Sequence, residues 1–343
     1  MSPRPKLCVI GAGGTIAGVG VSATAAAYKP GRIDTADLLA GVGAIGHLAE
    51  VSTETLYSTG SEDLGPQQWL ALARRVHAVA KQSDVQGIVI THGTDTLEEA
   101  AFFLDLVCRT EQPIVMTGAM RPTTALSADG PANIHQAILA AVDPRLRNGG
   151  VTVAMDGLLL PGWQVTKTNS VALGTFDAYP GGPLGRFVGE RLCVFQEIRR
   201  PPLAGAFHPL LHRDEDLPDV GVVFVHGGCA DAALSVWRGS PFRGLVIAGF
   251  GAGTMPAALA AAAREMLGNG MVIIVSSRVG EVVVQTDTLT GRGRDGLLAS
   301  GFLNPGKSAV LLSLALASSL SARDVGRLLD RINGVASLSR ESK

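Results

Sequence analysis

Two threonines follow short apolar runs, at places where a hydroxyl group could do chemistry. Thr15 comes after the run at 7–11 in a glycine-rich segment, and Thr94 comes after the run at 87–91 with Asp95 beside it. Short apolar runs bounded by glycine are typical of buried strands. Open α/β sheets bind ligands in the crevice outside the carboxyl ends of their strands, so we expect both hydroxyls to line one pocket. Hydroxyl chemistry on a small polar ligand is the leading interpretation.

The glycines before Thr15 also require comparison with nucleotide-binding loops. Gly11 and Gly13 match the first two glycines of a dinucleotide fingerprint, but Ile16 stands where the third glycine is needed for close helix packing. A P-loop is excluded as well, because no Gly-Lys-Ser/Thr follows. Two interpretations stay open from the spacing alone. The glycines make a tight turn capped by Thr15, or they let a small polar ligand approach the backbone.

Six further polar residues lie in turns or just after apolar runs. Each has a structural alternative: a packing tyrosine, a polar turn, a hydrogen-bonded histidine, an ion-pairing arginine or a solvated lysine. Tyr28 belongs to a small-residue segment at 22–28 that we interpret as a mobile loop. The six are Tyr28, Ser61, Glu62, His92, Arg121 and Lys167.

The composition excludes several classes of function. The net charge is −1, with 29 basic and 30 acidic residues, so the chain has no field to hold nucleic acid or an anionic membrane surface. Its apolar runs are far shorter than the ~20 residues of a membrane-spanning helix. Only 17% of the residues are charged, against roughly 25% in an average soluble protein, which indicates surface buried between subunits. The expected partners are a small-molecule substrate and further copies of the chain.

The cysteine pattern and the first residues bear on cofactors and location. Cys8, Cys108, Cys193 and Cys229 are scattered without CxxC spacing, which favours reduced, buried thiols. No HExxH, paired CxxC or clustered histidine and carboxylate spacing indicates a metal site, so neither a metal nor an organic cofactor is predicted. The residues before the run at 7–11 are too few for a secretory apolar region, so we expect a cytoplasmic protein.

Apolar runs alternate with helix-like segments along the whole chain, which predicts parallel sheets with crossover helices. The predicted fold class is α/β, with larger N-terminal and smaller C-terminal α/β domains, each built on a largely parallel sheet with helices on both faces. Residues 1–198 form the N-terminal domain and carry most of the catalytic residues. Proline and charge mark 199–219 as a linker, and 220–343 form the smaller domain, which contributes to the subunit interface.

Four separate motifs together resemble the bacterial-type L-asparaginase/glutaminase family. They occur in the family's order and spacing, and similarity continues through Ser276-Ser277-Arg278-Val279 and Asn304-Pro305, over nearly the whole chain. A match of four motifs is far more specific than any one of them. The four are Gly13-Gly14-Thr15-Ile16-Ala17-Gly18, His92-Gly93-Thr94-Asp95-Thr96, Gly118-Ala119-Met120-Arg121-Pro122 with Ser127-Ala128-Asp129-Gly130-Pro131, and Val165-Thr166-Lys167-Thr168-Asn169.

The resemblance implies an amidohydrolase of asparagine catabolism that converts L-asparagine to L-aspartate and ammonia without metal or organic cofactor. It also implies active sites at the interface of an intimate dimer, and a homotetramer built as a dimer of dimers. The implied catalytic residues are Thr15 and Tyr28 with the triad Thr94, Asp95 and Lys167. The implied substrate contacts are Ser61, Glu62 and Asp95 to the carboxylate and amino groups, and the Ala119 backbone near the amide.

Elementary chemistry assigns roles to these groups. A threonine hydroxyl is a weak nucleophile and needs a positioned base. Lys167 acts as a base only if burial disfavours its ammonium form, and Asp95 opposes this, so the proton is expected to be shared within a coupled group. We predict that Thr15 attacks the amide carbon and that Tyr28 orients the Thr15 hydroxyl. Thr94, with Lys167 and Asp95, relays protons and activates water. Which threonine is acylated stays open.

The chain departs from the secreted, high-affinity branch of the family at the far side of the site. An ungapped alignment over 278–301 places Leu289 where a neighbouring subunit contributes an acid, and Thr254 falls where a nearby asparagine stands. Contacts to the substrate's α-amino group are therefore expected to be weaker, unless Glu62 or Asp287 compensates. This predicts a preference for asparagine with reduced affinity or broader tolerance, including secondary glutaminase activity.

Two other functions stay open. One is the ammonia-producing subunit of a tRNA-dependent amidotransferase, which usually has a longer extension before the position of Thr15. The other is a non-catalytic amino-acid-binding protein, against which the retained hydroxyl, amine and carboxylate side chains argue.

Overall fold

The computed structural model describes residues 4–24, 27–43, 45–289 and 296–334. The chain divides into two compact units, Met1–Leu211 and His212–Lys343. The division falls within 199–219, the segment whose composition predicts a linker. No helix among the described residues is long and apolar enough to cross a membrane.

The first unit is built on strands that alternate with helices and end in a series of short hairpins. Its helices are α1 Thr35–Ala40, α2 Pro66–Ala80, α3 Leu97–Val107 and α4 Gly130–Ala141. Its 3-10 helices are Thr15–Ala17, Ser61–Asp63, Pro144–Leu146 and His208–His212, the last of which contains the division between the units. Its strands are β1 Lys6–Ala12, β2 Val19–Gly20, β3 Tyr28–Lys29, β4 Glu50–Tyr57, β5 Val85–His92, β6 Ile114–Thr117, β7 Val151–Met155, β8 Leu158–Pro161, β9 Val165–Lys167, β10 Phe176–Ala178, β11 Gly185–Val188 and β12 Arg191–Val194.

The main sheet of this unit has eight strands in the order β12-β11-β8-β7-β6-β5-β1-β4. Strands β4, β1, β5, β6 and β7 pair in parallel, whereas β8, β11 and β12 pair antiparallel at one edge. Both faces of the parallel part are covered. Val89 packs in a core with Ile134 and Ile138 of α4, and its fully buried neighbours Ile88 and Ile90 point to the opposite face, because successive strand residues alternate.

The second unit contains strands β13 Val220–Phe224, β14 Gly244–Gly249, β15 Val272–Ser277 and β16 Leu298–Ala299, helices α5 Ala257–Gly268, α6 Thr286–Leu289, α7 Pro305–Ala317 and α8 Ala322–Ile332, and a 3-10 helix at Asp231–Trp237. The strands form a smaller, wholly parallel sheet in the order β13-β14-β15-β16. Its core joins Leu245 and Ile273 of the sheet to Leu259 of α5. Helix α8 begins at the predicted capping box, where Asp324 N donates to Ser321 Oγ at 3.2 Å.

The predicted fold class is confirmed: both units are α/β, and their sheets are mainly parallel. Two details differ from the sequence-based expectations. The antiparallel edge of the large sheet was not predicted, because each of its strands has only 4 residues, too few for a pattern to stand out in the sequence. Cys8, Cys108 and Cys229 are buried free thiols as expected, but Cys193 is exposed, because it follows the core residue Leu192 on β12 and so lies on the opposite face of the strand.

Candidate active site

The predicted crevice forms where β1 and β5 end side by side. The two strands are parallel neighbours, and Ala12 at the end of β1 pairs with His92 at the end of β5. The loops that follow them are therefore forced together. Gly14 and Gly93 meet so closely that a Cβ atom on Gly14 would overlap the Gly93 backbone. This contact brings the segments of Thr15 and Thr94 to the same edge of the sheet.

Thr15 and Tyr28 form the first pair of reactive groups. Thr15 begins a 3-10 helix and is 7% exposed. Its Oγ1 lies 2.7 Å from the Tyr28 hydroxyl. Tyr28 is held there by the short antiparallel pairing of β2 with β3, in which it faces Gly20. Gly18 leaves room for the tyrosine ring, since a Cβ atom there would lie 2.9 Å from Tyr28 Cδ2. Of the segment at 22–28, Ala25 and Ala26 lie outside the described residues.

Thr94, Asp95 and Lys167 form the second group. The Lys167 amine donates to Thr94 Oγ1 at 2.9 Å and to Asp95 Oδ1 at 2.6 Å. The Lys167 side chain is 18% exposed, whereas that of Asp95 is 61% exposed. The amine is therefore held in the protein by two partners, while the carboxylate still faces solvent. Glu98, in the first turn of α3, accepts a bond from the Lys167 backbone nitrogen at 2.5 Å.

Ser61 joins the loop after β4 to the second group. It is 2% exposed, and its hydroxyl accepts a hydrogen bond from Asp95 N at 3.2 Å. Its carbonyl accepts one from Thr96 Oγ1 at 2.8 Å. Glu62 follows, and its carboxylate folds back over Gly60, where a Cβ atom would overlap it. These contacts fix Ser61 and place the Glu62 and Asp95 carboxylates on one cavity.

That cavity has a volume of about 150 Å³ and lies wholly within the first unit. Its polar lining explains why a small polar ligand fits it better than an apolar one. Thr94, Lys167 and Ala119 do not line it directly. The prediction that both threonine hydroxyls line one pocket is therefore wrong for Thr94, which is buried behind Asp95 and linked to it through the Lys167 amine. The predicted site residues that line it are Thr15, Tyr28, Ser61, Glu62 and Asp95.

Ala119 lies in the loop after β6 and is itself completely buried. Asp129 holds this loop by accepting bonds from Met120 N and Arg121 N, each at 2.9 Å. Asn133 Nδ2 of α4 donates to the Gly118 carbonyl at 3.0 Å. The loop is thus fixed by side chains from the start of α4, and Ala119 lies outside the cavity lining.

Arg121 and His92, two of the weaker candidates for site residues, make local contacts to main-chain carbonyl groups. The Arg121 guanidinium donates to the Ser127 carbonyl at 2.9 Å and closes its own loop. His92 is completely buried, and its Nδ1 lies 2.8 Å from the Gly93 carbonyl oxygen. Burial lowers the pKa of His92 to about 4, so the ring is neutral at pH 7 and its Nδ1–H donates to that carbonyl. Both residues support the site rather than face the cavity.

Leu289 and Thr254, the two positions that depart from the family pattern, both lie in the second unit. Leu289 is 1% exposed and packs in the core of that unit, so its side chain is not available to a ligand. Asp287, in the same helix α6, is exposed. The Thr254 hydroxyl is engaged locally, since it donates to the Phe250 carbonyl at 3.2 Å.

Glu98 is the residue that the sequence reasoning missed. Its position in the first turn of a helix is readable from the sequence, because acids are favoured there. Its partner is not readable, because Lys167 lies 69 positions further along the chain.

The fold and these side chains define a class: two-unit α/β enzymes with reactive hydroxyl groups at the carboxyl edge of the larger sheet. Family models agree with this class. Residues 6–200 match the Asparaginase, N-terminal model, and residues 219–329 match the Glutaminase/Asparaginase C-terminal domain model. The chain belongs to the asparaginase family, as its motifs indicated.

Individual relatives match over most of their length. The chain is 34% identical to L-asparaginase 2 of Escherichia coli (strain K12), over 95% of this chain and 93% of the relative. It is also 34% identical to a glutaminase-asparaginase of Pseudomonas fluorescens biotype A, over 94% of this chain and 89% of the relative. Among solved structures, a probable cytoplasmic L-asparaginase from Campylobacter jejuni superposes with a TM-score of 0.89 at 31% identity, covering 96% of this chain and 100% of that one.

Proposed function

We propose that the protein is an L-asparaginase that hydrolyses L-asparagine to L-aspartate and ammonia, with secondary activity on L-glutamine. The observation that carries this proposal is the 2.7 Å contact between Thr15 Oγ1 and the Tyr28 hydroxyl at a small polar cavity. The names of the relatives support the substrate class, because they include both L-asparaginases and glutaminase-asparaginases.

The cavity suits a small amino acid with two charged groups. The Glu62 and Asp95 carboxylates on its lining supply partners for an α-ammonium group. Ser61 supplies a hydroxyl for the α-carboxylate. With both charges bound, the side-chain amide is the part of the substrate left to reach Thr15. Exposed Asp287 is a further candidate for the ammonium if a neighbouring subunit presents it.

The first chemical step forms a bond between Thr15 Oγ1 and the amide carbon. Tyr28 holds the hydroxyl in one orientation during the attack. The proton that Thr15 Oγ1 loses passes through the Thr94, Asp95 and Lys167 group to the amide nitrogen. The carbon–nitrogen bond then breaks, and ammonia leaves an ester on Thr15. Backbone N–H groups near Thr94 stabilise the oxyanion of the intermediate, an effect typically worth ~3 kcal/mol for each donor.

The second step uses the Thr94, Asp95 and Lys167 group. The Lys167 amine contacts both a hydroxyl and a carboxylate, so a proton can move among three linked groups. In our proposal this group takes a proton from the water that attacks the ester carbon and returns it to Thr15 Oγ1 as the ester bond breaks. L-Aspartate leaves, and Thr15 regains its proton.

The decisive experiment measures ammonia release by the purified protein with L-asparagine or L-glutamine as the only substrate. We expect turnover of both, with a higher kcat/KM for asparagine. Thr15→Ala should lower kcat by at least about 1000-fold, because a nucleophile is lost, while calorimetry should still detect L-aspartate binding.

The same measurements decide against the alternatives. No ammonia release without an added partner would favour an amidotransferase subunit, and binding without turnover would favour a binding protein. Near-normal turnover by Thr15→Ala would exclude the proposed nucleophile, and glutamine preference would overturn the substrate assignment.

A cytoplasmic location remains part of the proposal. It is testable by fractionation, since one relative is named as probably cytoplasmic and another as probably periplasmic.

A further inference from the structure

Residues at the start of helix α3 contact both the side chain and the main chain of Lys167. Thr94 and Asp95, just before α3, bind the amine at 2.9 and 2.6 Å. Glu98, in the first turn of α3, accepts a bond from the Lys167 peptide nitrogen at 2.5 Å. We propose that Glu98 is a positioning residue for the reaction, which fixes the Lys167 main chain so that its amine reaches Thr94.

The strand that carries Lys167 needs such an anchor. Within the part of the chain that the structure describes, strand β9 pairs with β10 alone, in a two-stranded sheet separate from the eight-stranded one. A two-stranded ribbon is at best marginally stable by itself. The ladder of the main sheet therefore does not fix Lys167, which is the last residue of β9. A contact to a rigid neighbour is required, and α3 packs against β9.

The direction of the Lys167 peptide group explains why a side chain supplies this contact. The next residue, Thr168, donates its backbone N–H to the Thr175 carbonyl at 2.7 Å, toward the partner strand. Successive N–H groups of a strand point to opposite sides. The Lys167 N–H therefore points away from β10, to a side on which none of the described strands pairs with β9. The Glu98 carboxylate accepts that hydrogen bond, and a charged acceptor makes it a strong one.

Glu98 carries both a hydrogen-bond acceptor and a charge, and these contributions are separable. Glu98 and Glu99 are both acids in the first turn of α3, where negative charge is favourable for the helix. Glu98→Gln removes the charge and keeps an acceptor oxygen, whereas Glu98→Ala removes both. Glu99→Gln removes an equal charge from the same helical turn and serves as the matched control.

The inference rests on the proposed function, in which Lys167 takes part in turnover. We expect Glu98→Ala to lower kcat by about 100-fold, the typical effect of a misplaced catalytic group, with a smaller change in KM. The pH profile of kcat should shift, because Lys167 loses its fixed contact with Thr94. Glu98→Gln should recover most of kcat and the wild-type profile. Glu99→Gln should keep both.

Thermal unfolding of each variant separates a positioning role from loss of folded protein. The inference is overturned if folded Glu98→Ala has the wild-type kcat and pH profile, or if Glu98→Gln is as impaired as Glu98→Ala. Lys167→Met, assayed in parallel, distinguishes failure of the proposed Lys167 relay from failure of the positioning role of Glu98. Full activity of Lys167→Met would refute the relay in the proposed function. An inactive Lys167→Met beside a fully active Glu98→Ala would refute only the role of Glu98.

Discussion

Complete burial makes His92 a neutral residue beside a site rich in carboxylates. Its surroundings lower its pKa from 6.5 to about 4, chiefly through desolvation. The unfolded chain therefore binds this proton at a higher pH than the folded protein does. Between pH 6.5 and about 4, protonation favours unfolding, so the contribution of His92 to stability falls as the pH falls.

This residue gives a prediction about acid stability. The free energy of unfolding should decrease by up to about 3 kcal/mol through His92 as the pH falls across that window. His92→Asn keeps a donor for the Gly93 carbonyl and removes the titration, so its stability should depend less on pH. Urea unfolding between pH 4.5 and 7.5 measures the slope. The exposed His47 supplies the control variant His47→Asn, and equal slopes for His92→Asn and wild type would contradict the prediction.

Residue types alone revealed much of the candidate site. The motifs around Thr15, Thr94 and Lys167 pointed to the groups that the fold brings together, because each motif stands at a strand end or in a strand. Glu98 and the structural role of Arg121 were not readable. Each depends on a main-chain partner whose position only the folded chain determines.

At the level of elements, the turn after β1 depends on a backbone that only glycine adopts easily. Gly13 and Gly14 have φ values of 72° and 85°, in the left-handed region where a Cβ atom is strained. A side chain on Gly14 would in addition meet the Gly93 backbone. The turn therefore controls how closely the loops after β1 and β5 approach.

The substitution Gly14→Ala should consequently lower both the stability of the protein and its kcat. We expect a loss of roughly 1–3 kcal/mol of stability from the strained φ, together with a large fall in kcat as the two loops separate. Gly157→Ala is the matched control, because Gly157 has a φ of 77° but nothing within 4 Å of an added Cβ. Chemical unfolding and kcat for both variants test the difference. Equal activity of the two variants would show that loop contact does not matter.

The parallel strands were predictable because they are buried on both faces and read as continuous apolar runs, as in Ile88, Val89 and Ile90. The pairings β2 with β3 and β9 with β10 were not. They involve only two or three residues each, too few for a period-2 pattern to emerge. These short pairings nevertheless carry Tyr28 and Lys167, so the least predictable elements position two of the candidate catalytic residues.

At the scale of the whole molecule, low charge and exposed apolar side chains point to assembly. Leu126 is 71% exposed and Val21 is 93% exposed. Their loops are linked, because Leu126 N donates to the Ala23 carbonyl at 2.8 Å and Gly20 N donates to Thr124 Oγ1 at 2.8 Å. Apolar side chains presented together on joined loops are typical of contact surfaces.

We therefore predict that the protein is a homotetramer in solution and that this surface takes part in subunit contact. Leu126→Asp should weaken assembly, because a carboxylate would be buried without a partner. Gln82→Asp adds the same charge at another exposed position and should not. Light scattering coupled to size-exclusion chromatography, over a range of protein concentrations, measures the mass of each. A monomeric wild type would contradict the assembly, and a tetrameric Leu126→Asp would exclude this surface.

The surface adjoins the Thr15 segment, since Thr123 Oγ1 donates to the Ile16 carbonyl at 2.8 Å. Dissociation should therefore lower kcat/KM as well as mass.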